Sequence, residues 1–148
     1  MKLNHDIQLA YCTNVHRGNT WEETYQSLKN EVQQVRRIVS PENPYAIGLR
    51  LGASAAFTLY RGNELPSFQK WLEKNNCYVF TINGFPYGDF HGTRVKEQVY
   101  LPDWTSTERL EYTVLLFKIL EVLLQPNEEG SVSTVSYTHL RAHETSLH

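Results

Sequence analysis

The sequence is poor in several features that would narrow its class at once. It has two cysteines, Cys12 and Cys77, among 148 residues. Both fall in strand-like runs, which reads as small buried thiols. A disulfide or metal pair is the alternative, but no Cys-x-x-Cys or Cys/His spacing supports one. There is no basic excess: the net charge is −2, which argues against nucleic acid as a partner. No apolar run approaches the roughly 20 residues of a membrane span. The opening "MKLNHDIQLAYC" lacks the charged and apolar regions of a secretory leader. Together these absences fit a reducing, cytoplasmic setting. No Gly-x-Gly-x-x-Gly follows any strand-like run, so a dinucleotide fold has no support.

The hydrophobic fraction is 41%, enough for one ordinary domain with a core. Residues 7–16, "IQLAYCTNVH", form a mostly apolar run suited to a parallel strand. Thr20 and Glu23 then make a Thr-x-x-Glu capping box. Tyr25, Leu28, Val32, Val35 and Ile38 follow at helical steps, predicting one buried face up to about Ser40. "YAIGLRLG" at 45–52 is the next strand, followed by a short helix from Ala53 to Tyr60 and a second from Pro66 to Asn75. Phe68, Trp71 and Leu72 point inward on that second helix. "CYVFTIN" at 77–83 is the third strand, and residues 84–104 form a loop long enough to suggest function. Thr105 and Glu108 repeat the capping-box pattern. Leu110, Val114, Leu115, Phe117, Ile119, Val122 and Leu123 predict a strongly apolar helix, and "SVST" at 131–134 opens a fourth strand.

The order β-α-β-α-β-α-β predicts an α/β fold with a parallel sheet and right-handed crossovers. A doubly wound sheet and part of a (β/α)8 barrel both fit. Polar residues gather where strands end, which is the face on which a barrel builds its site. The reading adopted is the N-terminal half of a (β/α)8 TIM barrel over residues 1–134. Such a half would leave open sheet edges, and self-association through them is expected.

After Thr134 the pattern stops. Residues 135–145, "VSYTHLRAHET", back-translate in one frame onto the transposon-end adapter of sequencing libraries. Residues 135–148 are therefore expected to be a non-native tail and are set aside from functional reasoning.

Candidate functional residues lie at the expected strand ends. His16 could ligate a metal or move a proton, or brace a turn. Asn14 stands beside it. Arg50 lies in an apolar strand, so it either points into the barrel mouth or pairs with a carboxylate. Asn83 and His91 bracket the segment Gly84-Phe85-Pro86-Tyr87-Gly88-Asp89-Phe90. Its glycines allow close ligand approach, and Phe85, Tyr87 and Phe90 could wall a sugar ring or apolar ligand. Asn83 can donate and accept, as hydroxyl recognition requires. His91 could take a ligand, transfer a proton or brace the loop, and the loop itself could simply plug the barrel mouth. Lys96 could meet a phosphate or carboxylate, or a solvated ion-pair partner. Asp103 is a weaker candidate ligand, and Trp21 and Trp71 read as core.

The stretches "LAYCTNVH", "TWEE", "GLRL", "YVFTINGFPYGDFHG", "VKEQVYLPDW" and "GSVSTV" together resemble the EboE metabolite-traffic proteins. That family lies in the xylose isomerase-like superfamily, also called sugar phosphate isomerase/epimerase. The resemblance implies a TIM barrel and a role in moving a prenylated or otherwise lipophilic metabolite. It also implies a divalent metal (Mn, Mg or Zn) held late in the barrel of a full-length chain, with none expected in residues 1–134. A metal-dependent sugar or sugar-phosphate isomerase or epimerase is the alternative, with His16 and His91 as its early-strand catalytic candidates. This chain by itself is expected to be inactive.

Overall fold

The chain is described from a computed structural model covering residues 1–88 and 100–135. Its centre is β2 (Tyr45–Arg50), in which every residue is buried. A strand covered on both faces needs no polar alternation, and "YAIGLR" has little. Its neighbours are β1 (Tyr11–Cys12) and β3 (Cys77–Asn83), with β4 (Ser131–Ser133) beyond β3. All three pairings are parallel and the strands lie in chain order.

Three crossovers connect the strands. The first holds α1 (Trp21–Ser27) and α2 (Gln33–Val39), joined by a π-helical turn at Leu28–Val32. The second holds α3 (Ala53–Arg61) and α4 (Leu65–Lys74), and the third holds α5 (Thr107–Leu123). α1 packs against α3 and α3 against α5, so successive crossovers lie side by side. Just past α3, α4 and α5, Asn63, Asn76 and Asn127 take left-handed backbone, which asparagine tolerates better than most residues.

The strand register separates two faces. Leu49, Ile82 and Val132 align across three strands and face the helices, as Tyr11 and Ile47 do. Leu28, Val32, Ala55, Leu59, Phe68, Leu116 and Ile119 pack against that face with no exposure. Each large aliphatic or aromatic side chain so buried contributes about 1.5–3 kcal/mol. Trp21, Tyr25, Phe68 and Trp71 form an aromatic cluster, with Trp21 and Phe68 edge to face at 4.9 Å. The other face carries Tyr78 and Phe80 toward the start of β3 and small and polar side chains toward the strand carboxyl ends. Cys12, Gly48, Thr81 and Ser131 form one row across all four strands, and the Thr81 and Ser131 hydroxyls bond at 2.9 Å.

The first strand is much shorter than the apolar run 7–16 predicts. Residues before it fold back on the N-terminus, Leu3 N–H donating to Ile7 O and Leu9 N–H to Met1 O. Glu128 anchors this hairpin by accepting from Lys2 at 2.6 Å and Gln8 at 3.2 Å. Cys12 is consequently exposed on an edge strand, whereas Cys77 is buried as expected.

Two helix faces also differ from expectation. The π turn adds a residue to one turn and rotates everything after it. Leu28 and Val32 remain buried, but Ile38 is exposed, and Gln33 takes a buried position instead. In α5 the inward stripe is Arg109, Tyr112, Thr113, Leu116, Ile119, Leu120 and Leu123, while Leu110, Val114, Phe117 and Val122 face outward. Apolar residues surround this helix, so the pattern did not single out one face. The second capping box does not form. Ser106 is the N-cap, its hydroxyl bonds Glu108, and Thr105 bonds Asp103. The box at Thr20 and Glu23 is present in full.

Candidate functional site

The polar row one step beyond Thr81 ends the strands. Arg50 aligns with Asn83, and Asn83 with Ser133. Their backbones are fixed by the ladder, so their side chains share one end of one face.

Arg50 is almost fully buried, and a buried guanidinium costs several kcal/mol unless its protons are hydrogen-bonded. Its Nη1 donates to Gly18 O at 2.7 Å, and Nη2 donates to Pro86 O at 3.2 Å and Gly88 O at 2.6 Å. The loop after β1 is thereby tied to the loop after β3 through the end of β2. The Arg50 backbone N–H donates to Thr13 Oγ1 at 2.9 Å, adding a further tie to the turn that follows β1.

Asn83 Oδ1 accepts from Phe85 N–H at 3.0 Å, a local turn that aims the aromatic segment, and from Ser133 Oγ at 3.1 Å. Gly84 N–H donates to Ser133 O at 2.7 Å. A Cβ on Gly84 would lie 2.6 Å from Leu116 Cδ1, so glycine lets this strand end approach α5 closely. The Phe85–Pro86 peptide is cis, as is Leu101–Pro102. Phe85 packs on Tyr100 at 5.5 Å between ring centroids. Tyr87 meets Tyr112 edge to face at 4.9 Å, and its carbonyl accepts from Ala53 N–H at 2.8 Å at the start of α3.

α5 contributes a residue that sequence reasoning missed. Arg109 is completely buried. Its Nε donates to Pro102 O at 2.7 Å and its Nη1 to Gly84 O at 2.9 Å, so one side chain holds both ends of the segment between them. Its guanidinium lies 5.7 Å from the Tyr87 ring centre and 5.5 Å from that of Tyr112. Burial pushes its pKa down, opposed by Tyr112, Tyr87 and Asp103. Tyr112 donates its hydroxyl proton to Leu51 O. Burial pushes the Tyr112 pKa strongly up, against the opposing pull of the Arg50 and Arg109 charges, and keeps the phenol neutral. The signal for Arg109 was its position seven before Leu116 and three before Tyr112, on what proves to be the inward stripe.

The structure brings Arg50, Asn83, Phe85 and Tyr87 into one braced cluster. Asn14 is half-buried, its Oδ1 accepting from Cys12 Sγ at 3.1 Å. His16 turns toward α1. Its Nε2 shares a 2.8 Å hydrogen bond with the Tyr11 hydroxyl, and the two rings stack at 5.8 Å. It lines, with Thr24, Ser27 and Arg50, a cavity of about 10 Å³, room for one water. His91, Phe90 and Lys96 lie outside the described residues. Asp103 accepts from the Thr105 hydroxyl and N–H, which hold its carboxyl below the usual range. Val135, first residue of the expected tail, is buried and its carbonyl accepts from Trp104 Nε1 at 3.0 Å. Residues 136–148 lie outside the described ones.

The larger cavities are elsewhere. One of about 670 Å³ lies at the opposite end of the sheet, between the N-terminal segment and Tyr78. Another, of about 610 Å³, is a groove between α3 and α5 that Tyr87 and Tyr112 help to line.

Chemically, the strand-end cluster offers fixed positive charge, an amide and hydroxyls. That set suits hydroxyl or anion recognition. Among the described residues, no three His, Cys, Asp or Glu side chains gather as a metal shell would need. A guanidinium offers no lone pair to a cation, so these residues do not fit a divalent ion.

No protein-family model, curated protein or solved structure matches the chain. Fold and site together define an α/β protein with a four-stranded parallel sheet and a braced polar cluster at the strand carboxyl ends. Among the described residues no helix is long and apolar enough to cross a membrane.

Proposed function

We propose that residues 1–134 are the N-terminal half of a (β/α)8 barrel of the EboE metabolite-traffic type, which holds a small, lipophilic or prenylated metabolite in the cytoplasm. Strand order supports the barrel. A doubly wound sheet reverses its order at a switch point, whereas these strands run in chain order and their crossovers lie side by side. Toward the strand carboxyl ends the opposite face carries the small and polar row Cys12, Gly48, Thr81 and Ser131, which suits a barrel interior.

The observation that carries the binding role is the Arg50–Asn83 row with its aromatic segment. Buried Arg50 holds Gly18, Pro86 and Gly88 by hydrogen bonds, which fixes the geometry of the loops on both sides of β2 as a binding site requires. Tyr87 and Phe85 then supply apolar wall, and Asn83 keeps its amide NH2 for a hydroxyl or carbonyl of the ligand.

The test is a fluorescence titration of protein from the gene read without interruption past codon 134, with a soluble prenyl alcohol and with linear polyols as ligands. Saturable binding of the prenyl alcohol is expected, weakened about tenfold or more in Tyr87→Ala, since losing an aromatic contact costs at least about 1.4 kcal/mol. No saturable binding would overturn the proposal. Aldose–ketose interconversion on adding Mn, Mg or Zn would instead favour the metal-dependent isomerase or epimerase.

A further inference from the structure

α5 turns an apolar stripe away from the sheet. Leu110, Val114 and Phe117 are respectively 57%, 44% and 52% exposed, at the four- and three-residue steps of a helix–helix seam. Glu111 and Lys118 flank that seam on one side, both exposed. Leu110, Glu111, Val114 and Lys118 also line, with Glu108, the groove toward Phe57, Tyr60 and Arg61 of α3, so the stripe forms one wall of that groove.

We propose that this stripe is the two-fold interface of a dimer of this chain, the two α5 helices running antiparallel about Val114. The argument is self-complementarity, which an isologous contact requires. A two-fold axis at Val114 sets Leu110 within one residue's rise, about 1.5 Å along the axis, of the partner's Phe117. The same operation sets Glu111 within one rise of the partner's Lys118, and the reverse pair follows by symmetry. Val114 meets the partner's Val114. Glu121 falls level with the partner's Thr107, the first residue of its helix, where a carboxylate is favoured by the unpaired N–H groups. Apolar contact, opposite charges and the helix end thus agree on one orientation. A parallel pairing would put the partner's Glu111 and Lys118 on the opposite flank of the seam, where neither meets an opposite charge from this pair. A single helix pair buries modest area, so the dimer is concentration-dependent.

Sedimentation equilibrium between micromolar and millimolar concentration tests this. The expected mass rises from 17.2 kDa toward twice that value. Val114→Asp raises the dissociation constant at least tenfold while far-UV circular dichroism and Tm stay unchanged. Lys118→Glu alone weakens association by setting carboxylates against each other, and adding Glu111→Lys restores it. Three results would overturn the proposal: a mass of 17.2 kDa throughout, association unaffected by Val114→Asp, which would point to the strand edges, or a charge-swapped double variant no better than Lys118→Glu.

Discussion

Replacing Arg109 by alanine should cost the protein about 3 kcal/mol. The side chain is fully buried and donates to Pro102 O at 2.7 Å and Gly84 O at 2.9 Å. Orphaning a buried carbonyl costs about 1–3 kcal/mol, and two are left behind. The lost packing of the guanidinium against Tyr87 and Tyr112 adds to this, at about 0.5–2 kcal/mol for a desolvated pair. In the opposite direction, a buried charge no longer has to be desolvated, which returns part of the sum. Against a total stability of about 5–15 kcal/mol the net loss is large. For a chain of this size each kcal/mol moves Tm by about 3–4 °C, so a drop near 10 °C is expected. The assay is thermal unfolding followed by far-UV circular dichroism, with urea unfolding to confirm ΔG. Arg109→Lys should fall between the two, since it keeps charge but reaches only one carbonyl at a time. If Arg109→Ala melts within about 2 °C of the parent, the two carbonyls do not depend on the guanidinium and the clamp described here is wrong.

Four further outcomes are expected. Tyr112→Phe should lose about 1–2 kcal/mol in urea unfolding, because Leu51 O loses a buried donor. The folded Tyr112 pKa lies above the unfolded value near 10, so its contribution is whole below about pH 10 and is lost as pH rises beyond it. Alkaline unfolding should therefore be less steep in Tyr112→Phe than in the parent when stability is measured between pH 9 and 11. Gly84→Ala should destabilise by about 1–3 kcal/mol, since its Cβ would press on Leu116 and lie 3.1 Å from Ser133 O; an unchanged melting curve would refute that close approach. Gln33→Leu should be neutral or stabilising to within about 1 kcal/mol, because the buried amide's 3.5 Å contact with Cys77 Sγ is weak. Native titration with a thiol reagent should label exposed Cys12 quickly and buried Cys77 only on unfolding, with burial also holding the Cys77 thiol pKa up.

How far the sequence could be read depended on local boundaries. β3 and α4 came out nearly residue for residue, because "CYVFTIN" and "PSFQKWLEKN" are short periodic runs ended by Asn, Pro or Gly. β2 was legible for the same reason. Alternation of strand and helix was enough for the parallel sheet. The buried face of the first crossover was not legible beyond Val32, since nothing in "LKNEV" announces an extra residue per turn. In α5 apolar side chains surround the helix, and a charged residue such as Arg109 then reads as solvent-facing by default. For the site, Arg50 stood out because charge in an apolar strand demands an explanation. Asn83, Phe85 and Tyr87 were visible as a polar and aromatic cluster after a strand. His16 was placed at the right strand end, but direction could not be read: the turn after Cys12 sends its ring to Tyr11 and α1.

The hydrogen bonds that Arg50 sends to Gly18, Pro86 and Gly88 end on main-chain oxygens. Every amino acid carries such an oxygen, so the residues at those loop positions can change identity without cutting the tether, provided the backbone path is kept. At these contacts the arginine holds the course of the loops rather than the identity of their side chains.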